Sequence, residues 1–109
     1  MAGIADAGVV DLVAQEGDGR FVAIMIEDRP WGSTPDQVAQ LRAKLNAYAS
    51  FITEGQYVSQ VPNAAGQHVT VQLRCAEPPP ADIAALLEFA RDQLESLGIG
   101  FELLVVDYL

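Results

Sequence analysis

Four short segments of the sequence have the hydrophobic pattern of β-strands. Residues 9–14 and 21–26 are short apolar runs separated by residues 16–19, whose two glycines predict the turn of a β-hairpin. Residues 68–75 alternate strictly between polar and apolar side chains, which predicts a strand with one buried face. Residues 101–108 predict a fourth strand, apolar on both faces.

Two stretches have the period of an amphipathic helix. At the first, Thr34, Pro35 and Gln37 supply the hydroxyl, the first-turn proline and the glutamine of a capping box. The apolar stripe that follows consists of Val38, Leu41, Leu45, Tyr48 and Ile52. Residues 80–97 predict a second helix, which Gly98 ends.

The element order is therefore ββαβαβ, and the predicted fold class is α+β. The expected architecture is a two-layer sandwich in which a four-stranded mixed sheet carries both helices on one face. A chain of 109 residues has the usual size of one domain, so we expect a single domain over residues 1–109.

The second and fourth strands are apolar on both faces, whereas two helices cover only one face of a sheet. A monomer rarely exposes so large an apolar surface, which predicts a homodimer joined through the helix-free face. The pattern leaves open which set of side chains meets the helices. We assign to the dimer face Phe21, Met25, Phe101, Leu103 and Val105.

Charge narrows the classes of partner. Fifteen acidic residues against six basic ones give a net charge of −9, which argues against nucleic-acid binding. An acidic stripe on the second helix, formed by Glu88, Asp92 and Glu95, is interpreted either as a solvated face or as a docking site for a basic partner protein.

Residues for catalysis are few. His68 and Cys75 are the only histidine and the only cysteine, so the sequence predicts no catalytic residue, no metal site and no cofactor. Glu27 and Asp28 are adjacent acids without a third ligand nearby in the sequence. A single thiol, an N-terminus without a signal-peptide pattern and the lack of a long apolar segment predict a cytoplasmic protein that does not bind membranes.

Trp31 is the candidate binding residue with the clearest chemistry. A tryptophan before a helix packs over the helix start and donates its indole N–H to a carbonyl group, or it contacts a ligand or partner. Asn46 and Gln56 lie at the side and end of the same helix. They are interpreted as caps of the 56–66 loop or as binding residues beside Trp31.

Residues 31–66 resemble a small bacterial family of domains of unknown function. Its members share a tryptophan, a helix of the form K-[IL]-N-x-Y-x-x-F-I-x-x-G-Q and a P-x-A-x-G loop. The matching residues are Trp31, Lys44, Leu45, Asn46, Tyr48, Phe51, Ile52, Gly55, Gln56, Pro62, Ala64 and Gly66. The resemblance implies a shared fold and no known activity. Relatives carry a histidine where this chain has Gln37, so a proton-transfer or metal role for that histidine would be absent here.

Three functions remain open at this point. The first, which the sequence favours, is a non-enzymatic, homodimeric interaction module. The second is a small-molecule-binding protein or enzyme with a pocket near Trp31 and the 56–66 loop. The third is an acidic inhibitor of a basic toxin or nuclease, as an immunity protein would be.

Overall fold

The computed structural model describes residues 12–15, 21–54 and 69–107 of the chain. Four strands and two helices lie in these ranges. They are β1 Leu12–Gln15, β2 Phe21–Glu27, α1 Gln37–Thr53, β3 Val69–Cys75, α2 Ala81–Ser96 and β4 Gly100–Val105. The predicted hairpin turn at residues 16–19 lies outside the described residues.

The strands form one sheet in the order β1-β2-β3-β4. β1 pairs antiparallel with β2, whereas β2, β3 and β4 run parallel, with Phe21 opposite Val69 and Val71 opposite Phe101. The two parallel crossovers advance in the same direction across the sheet. Crossovers of the same hand then place their helices on the same face. The predicted α+β class is confirmed.

Both helices pack on the face formed by the odd-numbered residues of β2, β3 and β4. α1 contributes Leu41, Leu45 and Tyr48 to this core, and α2 contributes Ile83, Leu87 and Leu94. The sheet side of the same core consists of Phe21, Ala23, Met25, Val69, Val71, Leu73 and Phe101. The Tyr48 hydroxyl donates a hydrogen bond to the carbonyl oxygen of Ile24, which ties α1 to the strand beneath it.

The assignment of the dimer face is wrong for the residues that face this core. Phe21, Met25 and Phe101 are buried in the core, and Leu103 packs against it. Side chains alternate along a strand, so the odd-numbered positions of β2 and β4 point towards the helices and leave the even-numbered positions for the other face. Val105, at the end of β4, is 49% exposed.

The part of the helix-free face that β2 contributes is buried within the single chain, whereas Leu104 of β4 is 38% exposed. Val22, Ile24 and Ile26 are only 0%, 1% and 9% exposed, and Ala14 packs against them. The neighbouring strands add polar side chains there: Gln72 donates to Glu102 over 3.1 Å and accepts from Nε of Arg74 over 2.7 Å. A second copy is therefore not needed to cover these apolar side chains. The homodimer stays a prediction, but the apolar side chains of β2 on the helix-free face no longer support it.

The predicted capping box at the start of α1 is wrong. The helix begins at Gln37, and Asp36 precedes it without a side-chain cap hydrogen bond. The buried hydroxyl of Thr34 has no hydrogen-bond partner among the described residues. The Gln37 side chain bonds to other groups instead, as described below. The buried face of α1 is correspondingly rotated to include Gln37 and Lys44, whereas Val38 is exposed.

The end of α2 confirms the role predicted for Gly98. This residue has φ +78°, and its N–H donates to the carbonyl of Glu95 over 3.0 Å. The N–H of Ile99 donates to the carbonyl of Leu94 over 2.9 Å. These two bonds form a Schellman motif, which requires a left-handed residue at this position and therefore favours glycine.

Candidate functional site

A buried carboxylate organises the carboxyl end of β2. Glu27 is 1% exposed and, together with Arg29, Gln37 and Gln40, forms a group of hydrogen-bonded side chains that we call the Glu27 network. Oε1 of Glu27 accepts from the backbone N–H and from Nε of Arg29, each over 2.9 Å. Oε2 accepts from Nη2 of Arg29 over 2.8 Å and from Nε2 of Gln37 over 3.1 Å. Nη2 of Arg29 also donates to Oε1 of Gln40 over 2.9 Å.

The same network holds the loop that precedes α1. Oε1 of Gln37 accepts from the backbone N–H of Gly32 over 2.6 Å, and Nε2 donates to the carbonyl of Pro30 over 3.2 Å. Gly32 has φ +85°, a conformation that suits glycine. Gln37 thus connects the loop, the helix start and the strand end.

The electrostatics of Glu27 indicate a structural role. Burial alone would raise the pKa of this carboxyl group, but the hydrogen bonds from Arg29 and Gln37 and the charge of Arg29 outweigh it and lower the pKa. The carboxylate is thus ionised at neutral pH, and each of its oxygens already accepts two hydrogen bonds. The neighbouring Asp28 is exposed. The described residues contain no group of three or more histidine, cysteine or acidic side chains arranged to hold a metal ion.

Trp31 closes the end of the sheet beside this network. Its indole Nε1 donates to the carbonyl oxygen of Glu77 over 2.9 Å, and the half-buried ring packs against the helix-side core. These contacts are those of the first alternative given for Trp31, in which the ring packs on the protein itself and the indole N–H donates to a carbonyl group. Cys75 is fully buried, with its Sγ 3.7 Å from the carbonyl oxygen of Leu104, and burial raises the pKa of the thiol. A buried, protonated thiol is a poor nucleophile.

A second candidate site lies between the two helices. α1 and α2 make few direct contacts with each other, and the space between them is a cavity of about 520 Å³ that we call the helical groove. Its lining is mainly apolar, with three polar side chains. The lining residues are Arg42, Leu45, Asn46, Ala49, Leu86, Phe89, Ala90, Gln93, Leu94 and Leu97.

Two side chains of the helical groove are more exposed than apolar residues of their size usually are. Phe89 is 63% exposed and Leu97 is 55% exposed. The periodicity of α2 predicts an apolar stripe of Ile83, Leu86, Leu87, Ala90, Leu94 and Leu97. Phe89 lies outside this stripe, and its position is the one sequence signal that could have indicated the groove. The groove itself depends on the spacing of two helices, which no local pattern encodes.

The other predicted site residues separate in space. Asn46 lines the helical groove, whereas Trp31 does not, so the structure does not bring this pair into one cavity. Gln56, His68 and the 56–66 loop lie outside the described residues. Glu88, Asp92 and Glu95 are exposed on α2. Asp92 lies three residues from Phe89 and borders it on the helix surface, whereas Glu88, one residue from Phe89, faces another direction.

The architecture defines a small α+β protein whose helical layer carries an apolar groove. The chain belongs to a family of unknown function (DUF6572), whose sequence model matches residues 2–107. Comparison with curated proteins and with solved structures finds no match. Within the described ranges, neither helix has the length and apolar character needed to cross a bilayer.

The buried positions of the resemblance motif are explained by packing. Lys44, Leu45, Tyr48 and Phe51 form part of the buried face of α1, and the Lys44 ammonium lies 5.6 Å from the centroid of the Tyr48 ring. Asn46 is the exposed member of this segment. Among the described residues, the motif therefore marks mainly the interior of the fold, and the helical groove is lined largely by residues outside the motif.

Proposed function

We propose that this protein is an interaction module that binds a partner protein through the helical groove. The observation that carries the proposal is the exposure of Phe89 and Leu97 beside an apolar concavity. Exposed aromatic side chains beside a preformed pocket are typical of binding hot spots. Both side chains lie beside the same apolar concavity rather than scattered singly over the surface, and such grouping is typical of interaction sites.

The arrangement at the carboxyl ends of the parallel strands also favours the helical groove as the binding site. In parallel sheets, ligands bind beyond the carboxyl ends of strands where neighbouring crossovers go to opposite faces. Here both helices lie on one face, and no such crevice arises between β2, β3 and β4. Trp31 and the Glu27 network instead bond to the protein itself at this end.

Site-specific photo-crosslinking in the native cell tests the proposal. A photoreactive amino acid at Gln93, inside the helical groove, should give a discrete crosslinked protein. The same amino acid at Ala43, which is exposed on α1 and does not line the groove, is the matched control. Introducing Phe89→Ser should abolish the product from position 93 while leaving the urea unfolding curve unchanged. Identical products from both positions, or a product that persists in the Phe89→Ser background, would contradict a binding role for the groove.

The volume of the groove favours a second candidate function, the binding of a small apolar molecule. About 520 Å³ lies within the range of pockets that accept such ligands, and Arg42, Asn46 and Gln93 would face its polar atoms. Native mass spectrometry of the protein purified from its own cell distinguishes this candidate. A stoichiometric small ligand, lost in Phe89→Ser, would favour it over a protein partner.

A further inference from the structure

The two walls of the helical groove differ in chemistry. On α1, the exposed side chains of the lining are Arg42 and Asn46, which are neighbours on the helix surface because they are four residues apart. Both offer N–H donors. On α2 the lining is apolar apart from Gln93, and its apolar members are Leu86, Phe89, Ala90, Leu94 and Leu97. A chain that lies in the groove therefore meets donors on the α1 side and apolar side chains on the α2 side.

Arg42 is the one charged residue of the lining, and its guanidinium group is unpaired. None of the hydrogen bonds and ion pairs between described residues involves this side chain. The other bases in the described ranges contact protein groups: Arg29 bonds to Glu27, Arg74 to Gln72, Lys44 lies over the Tyr48 ring and Arg91 over the Phe101 ring. The cation in the groove is thus available to an anion on the occupant, and its planar set of donors matches a carboxylate.

The charges of the chain also limit how acidic the occupant can be. A basic group at this position would meet the cation of Arg42, and like charges in an interface are unfavourable. A strongly acidic segment would be repelled by the net charge of −9. The lining therefore favours an apolar segment that carries few acids, one of which reaches Arg42.

The length and the exposed rim of the groove fit a helix. Leu86 and Leu97 are eleven residues apart on α2, which corresponds to about 16 Å along the helix axis, or three turns. The apolar ridge of a partner helix covers this length with anchors one turn apart. A helix of about 10 Å diameter would also cover Phe89 and Leu97, which a small carboxylate on the floor of the groove would leave in water.

We infer that the helical groove receives an amphipathic helix of a partner protein, which lays its apolar ridge along Phe89 and Leu97 and places an acidic side chain on Arg42. This inference rests on the proposed function and adds the chemistry of the partner.

Three labelled helical peptides test the inference. All carry the same ridge of leucines at i, i+4, i+7 and i+11. The first has one glutamate beside the ridge, the second has glutamine at that position, and the third has the glutamate on the face opposite the ridge. The first and third peptides have the same composition and net charge, so their difference reports the position of the carboxylate alone. By fluorescence anisotropy, the first should bind about three- to fivefold more tightly than either of the others.

Matched variants locate the carboxylate. Arg42→Gln should remove the advantage of the first peptide over the second, whereas Arg91→Gln, which removes an equally exposed cation outside the groove lining, should preserve it. Phe89→Ser should weaken binding of all three peptides by about tenfold or more. Unchanged urea unfolding curves for Arg42→Gln and Phe89→Ser would confirm that folding is intact.

The native partner provides a second readout. In the photo-crosslinking experiment, Arg42→Glu should weaken the product from position 93, because it would place a like charge beside the partner's acid. Arg42→Lys should retain most of the product, and Arg91→Glu should leave it unchanged. Equal losses in Arg42→Glu and Arg91→Glu would show a response to net charge only and would contradict the inference.

The remaining outcomes separate this inference from the proposed function. Equal affinity of the three peptides, lost in Phe89→Ser, would overturn the acidic contact and leave groove binding intact. If no peptide binds, or if the fatty acid dodecanoate binds in their place, the partner helix is wrong. The crosslink from position 93 then decides the proposed function by itself. A crosslink between two copies of this chain would identify a second copy as the occupant and would also overturn the inference.

Discussion

Replacing Glu27 by glutamine removes the charge at the centre of the Glu27 network while keeping the size of the side chain. Each carboxylate oxygen accepts two hydrogen bonds, so an amide in either orientation presents its NH₂ group to two donors. Two bonds to a charged acceptor are then lost. Such bonds contribute about 1.5–3 kcal/mol each, which gives a loss of about 3–6 kcal/mol before relaxation.

Relaxation reduces this cost. The Arg29 side chain is 28% exposed and can regain hydration, whereas the buried Gln37 amide cannot. We therefore expect Glu27→Gln to lower the free energy of unfolding by about 2–4 kcal/mol, near the lower end of the effect of breaking a buried ion pair. A domain of this size is stable by about 5–15 kcal/mol, so the variant should remain folded at room temperature.

Urea denaturation followed by far-UV circular dichroism measures the effect. The midpoint should fall with an unchanged m-value, because the surface exposed on unfolding stays the same. Asp28→Asn is the matched control: it removes the adjacent, exposed carboxylate and should change stability by less than about 0.5 kcal/mol.

The pH dependence provides an independent check. The pKa of Glu27 is lower in the folded state than its ordinary value of 4.5, so the folded state binds fewer protons in this range than the unfolded state. Its contribution to stability is present above 4.5 and is lost as the pH falls through the folded pKa. The stability difference between wild type and Glu27→Gln should therefore narrow below pH 4.5. A difference that stays constant with pH, or that is below about 0.5 kcal/mol at neutral pH, would refute the proposed ionised network.

Three further predictions concern the stability of the helices and are measured by the same urea titrations. Thr34→Val should be neutral or stabilising, because the buried hydroxyl has no partner among the described residues; a loss of about 1 kcal/mol would restore an N-cap role. Gly98→Ala should cost about 1–2 kcal/mol through its positive φ alone, since an added Cβ meets no atom within 4 Å, and an unchanged midpoint would contradict the Schellman assignment. Leu45→Ala should cost about 2–5 kcal/mol as a buried leucine truncation, and a loss below 1 kcal/mol would mean that this face of α1 is not packed.

The elements that could be predicted from the sequence are those that depend on interactions between residues close together in the chain. Gly98 ends α2 because the hydrogen bonds that close the helix require a residue in the left-handed conformation. A glycine directly after the apolar stripe therefore predicts this end of the helix. The alternation at residues 69–75 predicts β3 for the same reason, since one face of the strand meets the helix-side core. The expectation of only one buried face is wrong, because Thr70 and Gln72 on the other face are 4% and 3% exposed.

The start of α1 shows why other features were not predictable. The sequence around Thr34 satisfies the pattern of a capping box, but the amide of Gln37 bonds to Glu27, ten residues earlier on a strand. In a capping box the Gln37 side chain would accept from the backbone N–H of Thr34. Here its Oε1 accepts from the N–H of Gly32, and its Nε2 donates to an ionised carboxylate, a type of bond about twice as strong as a neutral one. The prediction of the dimer face was wrong for a different reason. Both faces of β2 are apolar, so alternation carried no information about which face meets the helices.

The groups that stabilise the fold and the groups that we propose to bind a partner lie in different layers of this protein. At the carboxyl end of β2, the polar side chains of the Glu27 network bond to one another and to the loop before α1, and the indole of Trp31 bonds to Glu77. These groups hold the fold. On the helical layer, Phe89 and Leu97 remain exposed although the helix that carries them has a complete buried face of its own. Substitutions at Phe89 should therefore alter binding at nearly constant stability, and substitutions at Glu27 should alter stability while the crosslink from position 93 is retained. Such a separation is expected when a binding surface lies on a folded core and contributes little to it.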